Sequence, residues 1–318
     1  MMALLVLRSG GWSVLATVAL VLWLVVAPAL AQDMEETIDE EALPQDRAVG
    51  QAGYAYQGKT DIDGGGNLQV NRFDVGIIGR ADLLERLRWT NTFFFSVNDY
   101  DFGGSGFSTG DPWETILTMR LVTKLRYQLS EQWGVFGGGA FIFSSETGAD
   151  WGDSFSGGGL AGVDFRHSKS LFVSVGVAII SQIEDDARVT PSVSLNWLPY
   201  ERWAVRVGVV PASGGATAAG EVAYRVAEPV ELALGLLSNQ RRFRLDDSGP
   251  APDGVGEDNN LLLRLRLSWH LIPRLSLHLL GGAVLGGEVQ LDDRNGNRIN
   301  KQDYDPAPYV GLRFVGGF

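Results

Sequence analysis

Apolar and polar residues alternate with a period of two over most of this chain. In TILTMRLVTKLRYQ, residues 115–128, Leu121 and Leu125 belong to one face of an extended strand, and Arg120 and Lys124 belong to the other. No long stretch has the 3.6-residue period of an amphipathic helix. The pattern therefore predicts an all-β fold.

Fourteen segments with this alternation follow one another along the chain. The connections DLLER, SEQ, HSK, PYER, AEP and IPR are tight, whereas most of the intervening ones are long and rich in Gly, Asp, Asn and Ser. An even strand count with short turns on one side predicts an antiparallel up-and-down β-barrel of about 14 strands, with 12 or 16 as the counting error. The segments begin near residues 49, 68, 87, 115, 133, 157, 170, 188, 203, 217, 230, 260, 274 and 307.

The alternation is more typical of a transmembrane barrel than of a soluble secreted β-sandwich. Within lipid each unpaired backbone group costs several kcal/mol, so only a closed sheet survives there. Many strands place Arg opposite leucines, whereas the solvent face of a sandwich favours mixed Lys, Thr and Glu. Aromatic residues also gather on the apolar face next to the tight turns, as expected of the girdle at a membrane boundary. These residues are Trp89, Tyr127, Trp133, Trp197, Trp203 and Trp269.

The chain begins with the features of a secretory signal. Arg8 precedes an apolar run, and APALA ends at Ala31 with the small residues of a cleavage site. The alternative is a transmembrane anchor, but the apolar run is short for a span of ~20 residues. We expect a signal peptide at 1–31, an acidic disordered leader at 32–48 and the barrel at 49–318.

Charge and cysteine content exclude some functions. The formal net charge of −12 argues against nucleic acid as a partner. The chain has no cysteine, so neither a disulfide nor a thiolate nucleophile is available. The sequence sets no oligomeric state.

The last strand, YVGLRFVGGF, has apolar residues at alternate positions and ends in phenylalanine. In this respect Val310, Leu312, Phe314 and Phe318 resemble the C-terminal strand of bacterial outer-membrane β-barrel proteins, although Gly316 stands where an aromatic is commoner. The overall layout also looks similar to porin-like and uncharacterised outer-membrane barrel families. The resemblance implies insertion into the outer membrane of a Gram-negative-type bacterium, with the barrel-assembly machinery as a partner.

The residues opposite the apolar face predict a lumen with many cations. Two interpretations stay open: a wet pore that favours anions, or a closed interior of Arg–carboxylate pairs. The predicted acidic residues of the lumen are Asp74, Asp164, Glu221 and Glu231. The predicted pore-lining basic residues are Arg72, Arg88, Arg120, Lys124, Arg126, Arg166, Arg206, Arg225, Arg264, Arg266 and Arg313.

The other acidic residues are assigned to the long loops, including Asp99, Asp101, Glu257, Asp258 and Asp292. We therefore expect a porin-like channel that passes small solutes, with anionic solutes favoured. The alternative is a non-conducting structural or surface-binding barrel. In that case the acidic loops bind divalent ions and bridge to lipopolysaccharide phosphates.

One loop has some of the features of a calcium site. Asp293, Asn295 and Asn297 have the spacing of oxygen ligands, and Gly296 permits a sharp turn. However, Arg298 stands where an EF-hand requires glycine. An Asx-rich turn explains the same residues without a metal. No cofactor is otherwise expected.

An enzyme is the third hypothesis, and its support is weak. His167 lies in a tight turn, whereas His270 and His278 are expected to face inward near the IPR turn. No serine partner with a third orienting group is evident for them. The sequence therefore favours a non-enzymatic barrel.

Overall fold

The computed structural model describes residues 48–104, 111–212 and 215–318. The predicted signal peptide, 1–31, and all of the predicted leader, 32–48, except its last residue lie outside these ranges. The described residues form the barrel that the alternation predicts.

The described ranges contain fifteen strands and one four-residue 3-10 helix, Trp151–Ser154. Within these ranges no helix is long and apolar enough to cross a membrane. The strands are β1 (Ala48–Asp61), β2 (Asn67–Leu84), β3 (Leu87–Gly103), β4 (Thr115–Gln128), β5 (Trp133–Glu146), β6 (Phe155–Ser168), β7 (Leu171–Gln182), β8 (Asp185–Tyr200), β9 (Trp203–Ala212), β10 (Gly215–Ala227), β11 (Val230–Arg244), β12 (Val255–Ile272), β13 (Leu275–Asp292), β14 (Arg298–Tyr304) and β15 (Ala307–Gly317).

Fourteen of these strands form a closed antiparallel ring. Consecutive strands pair from β1 to β13, β15 pairs with β13, and β15 then pairs with β1, where Tyr54 lies opposite Leu312. The short β14 pairs with the end of β13, forms a single bridge from Tyr304 to Ile62, and is not part of the ring. The prediction of a 14-stranded antiparallel barrel is confirmed. Closure leaves no unpaired sheet edge in the wall.

The barrel has two unlike ends. One end carries the tight turns together with Ala48 and Phe318, and we call it the turn end. The opposite end carries the long connections and β14, and we call it the loop end. This asymmetry is typical of outer-membrane barrels.

The two faces of each strand differ as the alternation predicts. On β12, Leu265 and Leu267 are 47% and 38% exposed on the outside, whereas Arg264 and Arg266 are each only 4% exposed. On β4, Leu121 on the outside is 40% exposed. A continuous apolar outer surface of this kind is the lipid-facing band of a membrane barrel.

The predicted aromatic girdle lies on the outer surface at the turn end. Five of its six members are exposed, and Trp197 is half-buried. The indole of Trp89 donates a hydrogen bond of 2.8 Å to the hydroxyl of Thr123 on the neighbouring strand, so its polar atom has a partner on the apolar face. This placement confirms the prediction made from the sequence.

Several acidic residues assigned to loops lie in strands instead. Asp99 and Asp101 belong to β3, Glu257 and Asp258 belong to β12, and Asp292 ends β13. The assignment was wrong because these strands extend beyond the apolar outer band, where the outer face of a strand is polar. Asp258 is completely buried.

Candidate functional site

An apolar layer fills the loop end of the lumen. It is centred on the end of β11, the connection that follows and the start of β12, residues 241–258, which we call the cap. The Phe243 ring of the cap packs edge-on against Trp113, with centroids 5.0 Å apart, and Trp113 packs edge-on against Phe102 at 5.3 Å. A Cβ atom at Gly256 would lie 2.3 Å from the Phe243 ring, so only glycine admits this ring.

Ionic contacts tie the cap to its surroundings. The backbone at Arg244 bridges to Ser145 of β5, although β11 and β5 lie six positions apart in the ring. Arg242 pairs with Asp292 at 3.2 Å, and Arg244 pairs with Glu184 at 2.5 Å. The cap therefore crosses the mouth of the barrel and is held on both sides.

Directly beneath the apolar layer, Asp258 is the centre of a buried polar cluster. Its carboxylate accepts hydrogen bonds from the hydroxyls of Tyr100 at 2.8 Å and Tyr304 at 2.9 Å. It also pairs with Arg241 at 2.7 Å and Arg72 at 3.3 Å. These four partners come from four different strands, so this carboxylate joins the cap to the barrel wall.

A cavity lies below the Asp258 cluster, near the middle of the barrel. It holds about 630 Å³ of space between atoms, part of it open to solvent. Its wall is mainly polar and is formed by β1–β3, β11–β13 and β15. The main lining residues are Gln57, Arg72, Asp74, Phe94, Asn98, Asn239, Arg241, Asn260, Arg264, Tyr309 and Arg313.

A second ion-pair network continues from the cavity toward the turn end. Arg206 pairs with Glu221 at 2.7 Å and with Glu231 at 3.1 Å. Arg266 pairs with Glu221 at 2.6 Å, and Arg264 lies 3.6 Å from the same carboxylate. Three arginines therefore share two carboxylates across β9 to β12.

On the opposite wall, cations lie over aromatic rings. Such cation–π contacts stabilise a positive charge in addition to any ion pair, and Arg126 also pairs with Asp164 at 2.7 Å. The Phe136 ring lies flat on the wall because its neighbours are Gly162 and Gly176, where a Cβ atom would approach it to 2.4 and 3.0 Å. The contacts place Arg120 over Phe94 at 5.5 Å, Lys124 over Phe136 at 5.6 Å, and Arg126 and Arg166 over Phe172 at 5.2 and 5.4 Å.

Most of the residues predicted to line a pore face the lumen, but two lie at its turn end. Arg88 and Arg225 are exposed there, and Arg88 bonds to Asp82 at 2.9 Å. The sequence analysis missed Gln57 and Arg241, although the period-2 pattern of their strands extends to both. The inward-facing set is Arg72, Arg120, Lys124, Arg126, Arg166, Arg206, Arg264, Arg266 and Arg313.

The residues proposed for calcium form a turn between β13 and β14. The Asp293 carboxylate accepts hydrogen bonds from the backbone amides of Asn295 at 2.8 Å and Asn297 at 2.9 Å, and Gly296 has a φ of +79°. These hydrogen bonds, above all those from Asn297, lower the pKa of the Asp293 carboxyl. The described residues contain no group of three or more His, Asp or Glu side chains that could hold a metal ion. Calcium binding here stays a prediction.

Two of the histidines have serine partners, which the sequence did not make evident. His278 Nδ1 lies 3.1 Å from the Ser268 hydroxyl, and His270 Nδ1 lies 2.8 Å from the Ser276 hydroxyl. Both pairs form across the β12–β13 hairpin, where Ser268 lies opposite His278 and His270 lies opposite Ser276. The third group at Ser268 is Arg266, which donates to the hydroxyl, whereas a catalytic triad has a carboxylate orienting the histidine.

The C-terminal strand occupies the position that its sequence suggests. Val310, Phe314 and Phe318 are 57%, 45% and 72% exposed on the outer surface, and Leu312 is 37% exposed. The backbone amide of Phe318 donates a 2.8 Å hydrogen bond to the carbonyl of Ala48, so the last residue is held by β1.

Solved outer-membrane channels share this fold. An outer-membrane channel from Pseudomonas putida F1 matches with a TM-score of 0.50 and 16% identity, over 90% of this chain and 100% of its own. A Pseudomonas aeruginosa FadL homologue matches with a TM-score of 0.50 and 11% identity, over 87% of this chain and 92% of its own. At these identities the likeness concerns the fold alone. Comparisons with protein-family models and with curated proteins find no match.

Proposed function

We propose that this protein is an outer-membrane channel for small anionic solutes. The observation that carries the proposal is the central cavity, which is lined by Arg72, Arg241, Arg264 and Arg313 against the one carboxylate of Asp74. Rings of arginine and lysine favour anions in pores of this kind. The cations over phenylalanine rings extend the positive surface to the opposite wall.

The outer membrane is the proposed location because of the surface of the barrel. The apolar outer face and the aromatic girdle match a lipid bilayer, with the turn end in the periplasm. Removal of residues 1–31 and insertion by the barrel-assembly machinery, which reads the strand that ends at Phe318, belong to the same proposal. The acidic loop end then faces lipopolysaccharide, to which divalent ions bridge it.

Conduction requires the cap to move away from the mouth. The apolar layer around Phe243 and Trp113 fills the loop end of the lumen, so solutes reach the cavity from outside only when it opens. Opening of the cap begins at the Arg244–Glu184 pair, because Glu184 is 37% exposed whereas Arg242 and Asp292 are both buried.

Single-channel recording in planar bilayers tests the proposal. The purified protein is expected to give a steady open current with a reversal potential that favours anions in a salt gradient. Silence at all voltages would exclude conduction, and an open current without anion preference would exclude the selectivity.

A charge reversal in the lumen tests the role of the cations directly. Lys124→Glu reverses an inward-facing charge over the Phe136 ring and is expected to lower the anion-to-cation permeability ratio severalfold. Lys169→Glu is the matched control, since Lys169 is exposed in the tight turn between β6 and β7. Equal effects of the two variants would contradict a selective lumen.

A non-conducting surface barrel is the second candidate function. The observation that favours it is the same apolar layer, which fills the mouth in this structure. If that layer is permanent, deletion of cap residues 246–253 opens a current that the unaltered protein never shows. If the layer is a gate, both proteins conduct and the deletion only raises the open fraction.

A further inference from the structure

We propose that the central cavity is a binding site for a small hydroxycarboxylate, an anion that carries a carboxylate and neighbouring hydroxyls. The inference rests on the proposed function and names the class of solute. It depends on three properties of the cavity: its charge, its unpaired polar atoms and its apolar wall.

The charges around the cavity are unequal. Arg313 pairs with Asp74 at 3.1 Å, and Arg72 and Arg241 share Asp258. Arg264 lies 3.6 Å from Glu221, which two further arginines also share. The wall of the cavity itself carries four arginines, Arg72, Arg241, Arg264 and Arg313, and one carboxylate, that of Asp74. A wall of this composition favours an anion.

Three polar atoms in the cavity wall lack hydrogen-bond partners among the described residues. They are the side-chain amide nitrogen of Gln57, Nε of Arg72 and Oδ2 of Asp74. The Gln57 side chain is completely buried, and its oxygen already accepts a 3.0 Å hydrogen bond from Arg72. A buried polar atom without a partner costs about 1–3 kcal/mol, so the cavity favours a guest that supplies partners.

The three unpaired atoms differ in chemistry, and the difference selects the guest. Gln57 and Arg72 offer donors, which a carboxylate satisfies, whereas Asp74 Oδ2 is an acceptor and requires a donor. A simple carboxylate has no hydroxyl for Asp74. A neutral sugar has the hydroxyls but not the charge that the arginines favour. A hydroxycarboxylate has both.

Apolar side chains complete the site. Phe94, Leu237, Leu262, Val284 and Tyr309 also line the cavity and offer contact to a short carbon skeleton. The cavity is thus polar where a solute carries oxygen and apolar where it carries carbon.

Isothermal titration of the purified barrel with three probes tests the inference. D-gluconate has a carboxylate and hydroxyls, butyrate has only the carboxylate, and D-glucose has only hydroxyls. We expect saturable binding of gluconate, with the other two about tenfold weaker or more, because each lacks one charge-assisted or one buried hydrogen bond. Gluconate should also block the anion current at the same concentrations.

Two variants keep the test specific. Gln57→Leu removes an unpaired donor without a change of charge and should lower gluconate affinity about tenfold. Gln51→Leu is the control, since Gln51 faces inward on the same strand but does not line the cavity. If Gln57→Leu fails to fold, Asp74→Asn is tested in its place. This variant should lower the ratio of the gluconate affinity to the butyrate affinity.

The outcomes separate the two proposals. Equal affinities for gluconate and butyrate overturn the hydroxycarboxylate site and leave an anion channel in place. Absence of binding by all three probes, with anion current intact, also overturns the site alone. Gluconate binding that depends on Gln57 supports the site even where no current is seen, and in that case the channel proposal fails.

Discussion

Replacement of Asp258 by alanine should release the cap. The carboxylate is completely buried and neutralises Arg72 and Arg241, while it also accepts from the hydroxyls of Tyr100 and Tyr304. Removal of one partner from a buried ion pair costs about 3–5 kcal/mol, because the remaining charge has no compensation. None of these contacts lies on the lipid-facing surface, so the cost is expected at the cap and not in the closed ring of strands.

This energy corresponds to a shift of about a hundredfold to several thousandfold in the ratio of closed to open cap. Single-channel recording measures that ratio as the fraction of time in the open state. Heat-modifiable gel mobility, recorded in parallel, reports whether the barrel itself stays folded. Asp247→Ala is the matched control, since Asp247 is an exposed cap residue. Equal open fractions for Asp258→Ala, Asp247→Ala and the unaltered protein would refute the role of this cluster in cap closure.

Three further predictions concern other parts of the molecule. Trp113→Ala removes a buried aromatic side chain from the apolar layer and should destabilise the closed cap by about 3–5 kcal/mol. Protease cleavage within the cap should therefore be faster than in the unaltered protein, and an unchanged cleavage rate would contradict this role of Trp113. Deletion of Phe318 should reduce the yield of heat-modifiable barrel in cells, and an undiminished yield would remove this residue from assembly. The lowered pKa of Asp293 stabilises its turn above the ordinary carboxyl pKa, and this stability is lost as the pH falls through the lowered value. The rate of hydrogen exchange at the Asn295 and Asn297 amides, divided by the rate for unstructured amides at the same pH, should therefore rise as the pH falls below about 5. In Asp293→Ala this ratio should not change with pH.

The barrel is predictable from sequence because its two faces meet very different environments. A strand within the bilayer has lipid on one side and the lumen on the other, so Leu265 cannot exchange places with Arg264. The alternation therefore indicates both the number of strands and the direction of each side chain. The position of the aromatic girdle is predictable for the same reason, because Trp and Tyr are favoured where the lipid-facing side of a strand reaches water.

The cap is not predictable in this way, because its strands lie beyond the bilayer. The outer faces of β14 and of the start of β12 no longer meet lipid, and the alternation loses its lipid-facing apolar residues. Residues 287–306 therefore resemble one long loop, although they contain the end of β13 and all of β14. Because the alternation of apolar and polar residues is lost there, Asp258 was predicted to lie in a loop.

The contacts of the candidate site depend on how the strands close into a ring as well as on which face of its strand each residue occupies. Parity shows that Arg72 points inward, but its partner Asp258 lies 186 positions away in sequence, where the alternation does not extend. They meet only because β15 joins β1 to β13 and the cap folds over the mouth. A single sequence does not show which inward-facing residues contact each other, so the cations of the lumen were predicted without their partners.

The arrangement of polar and apolar layers argues that the lumen serves a solute more than it serves stability. Buried ion pairs contribute little compared with apolar packing of the same volume, and the apolar layer around Phe243 shows that this barrel accommodates such packing. Even so, the middle of the lumen holds arginines around a cavity, with polar atoms left unpaired. Stability alone does not favour arginines around a cavity, whereas the proposed binding of an anion does. The proposed function therefore assigns closure and selectivity to separate layers. Changes at Trp113 should alter the open fraction alone, and changes at Lys124 should alter the selectivity alone.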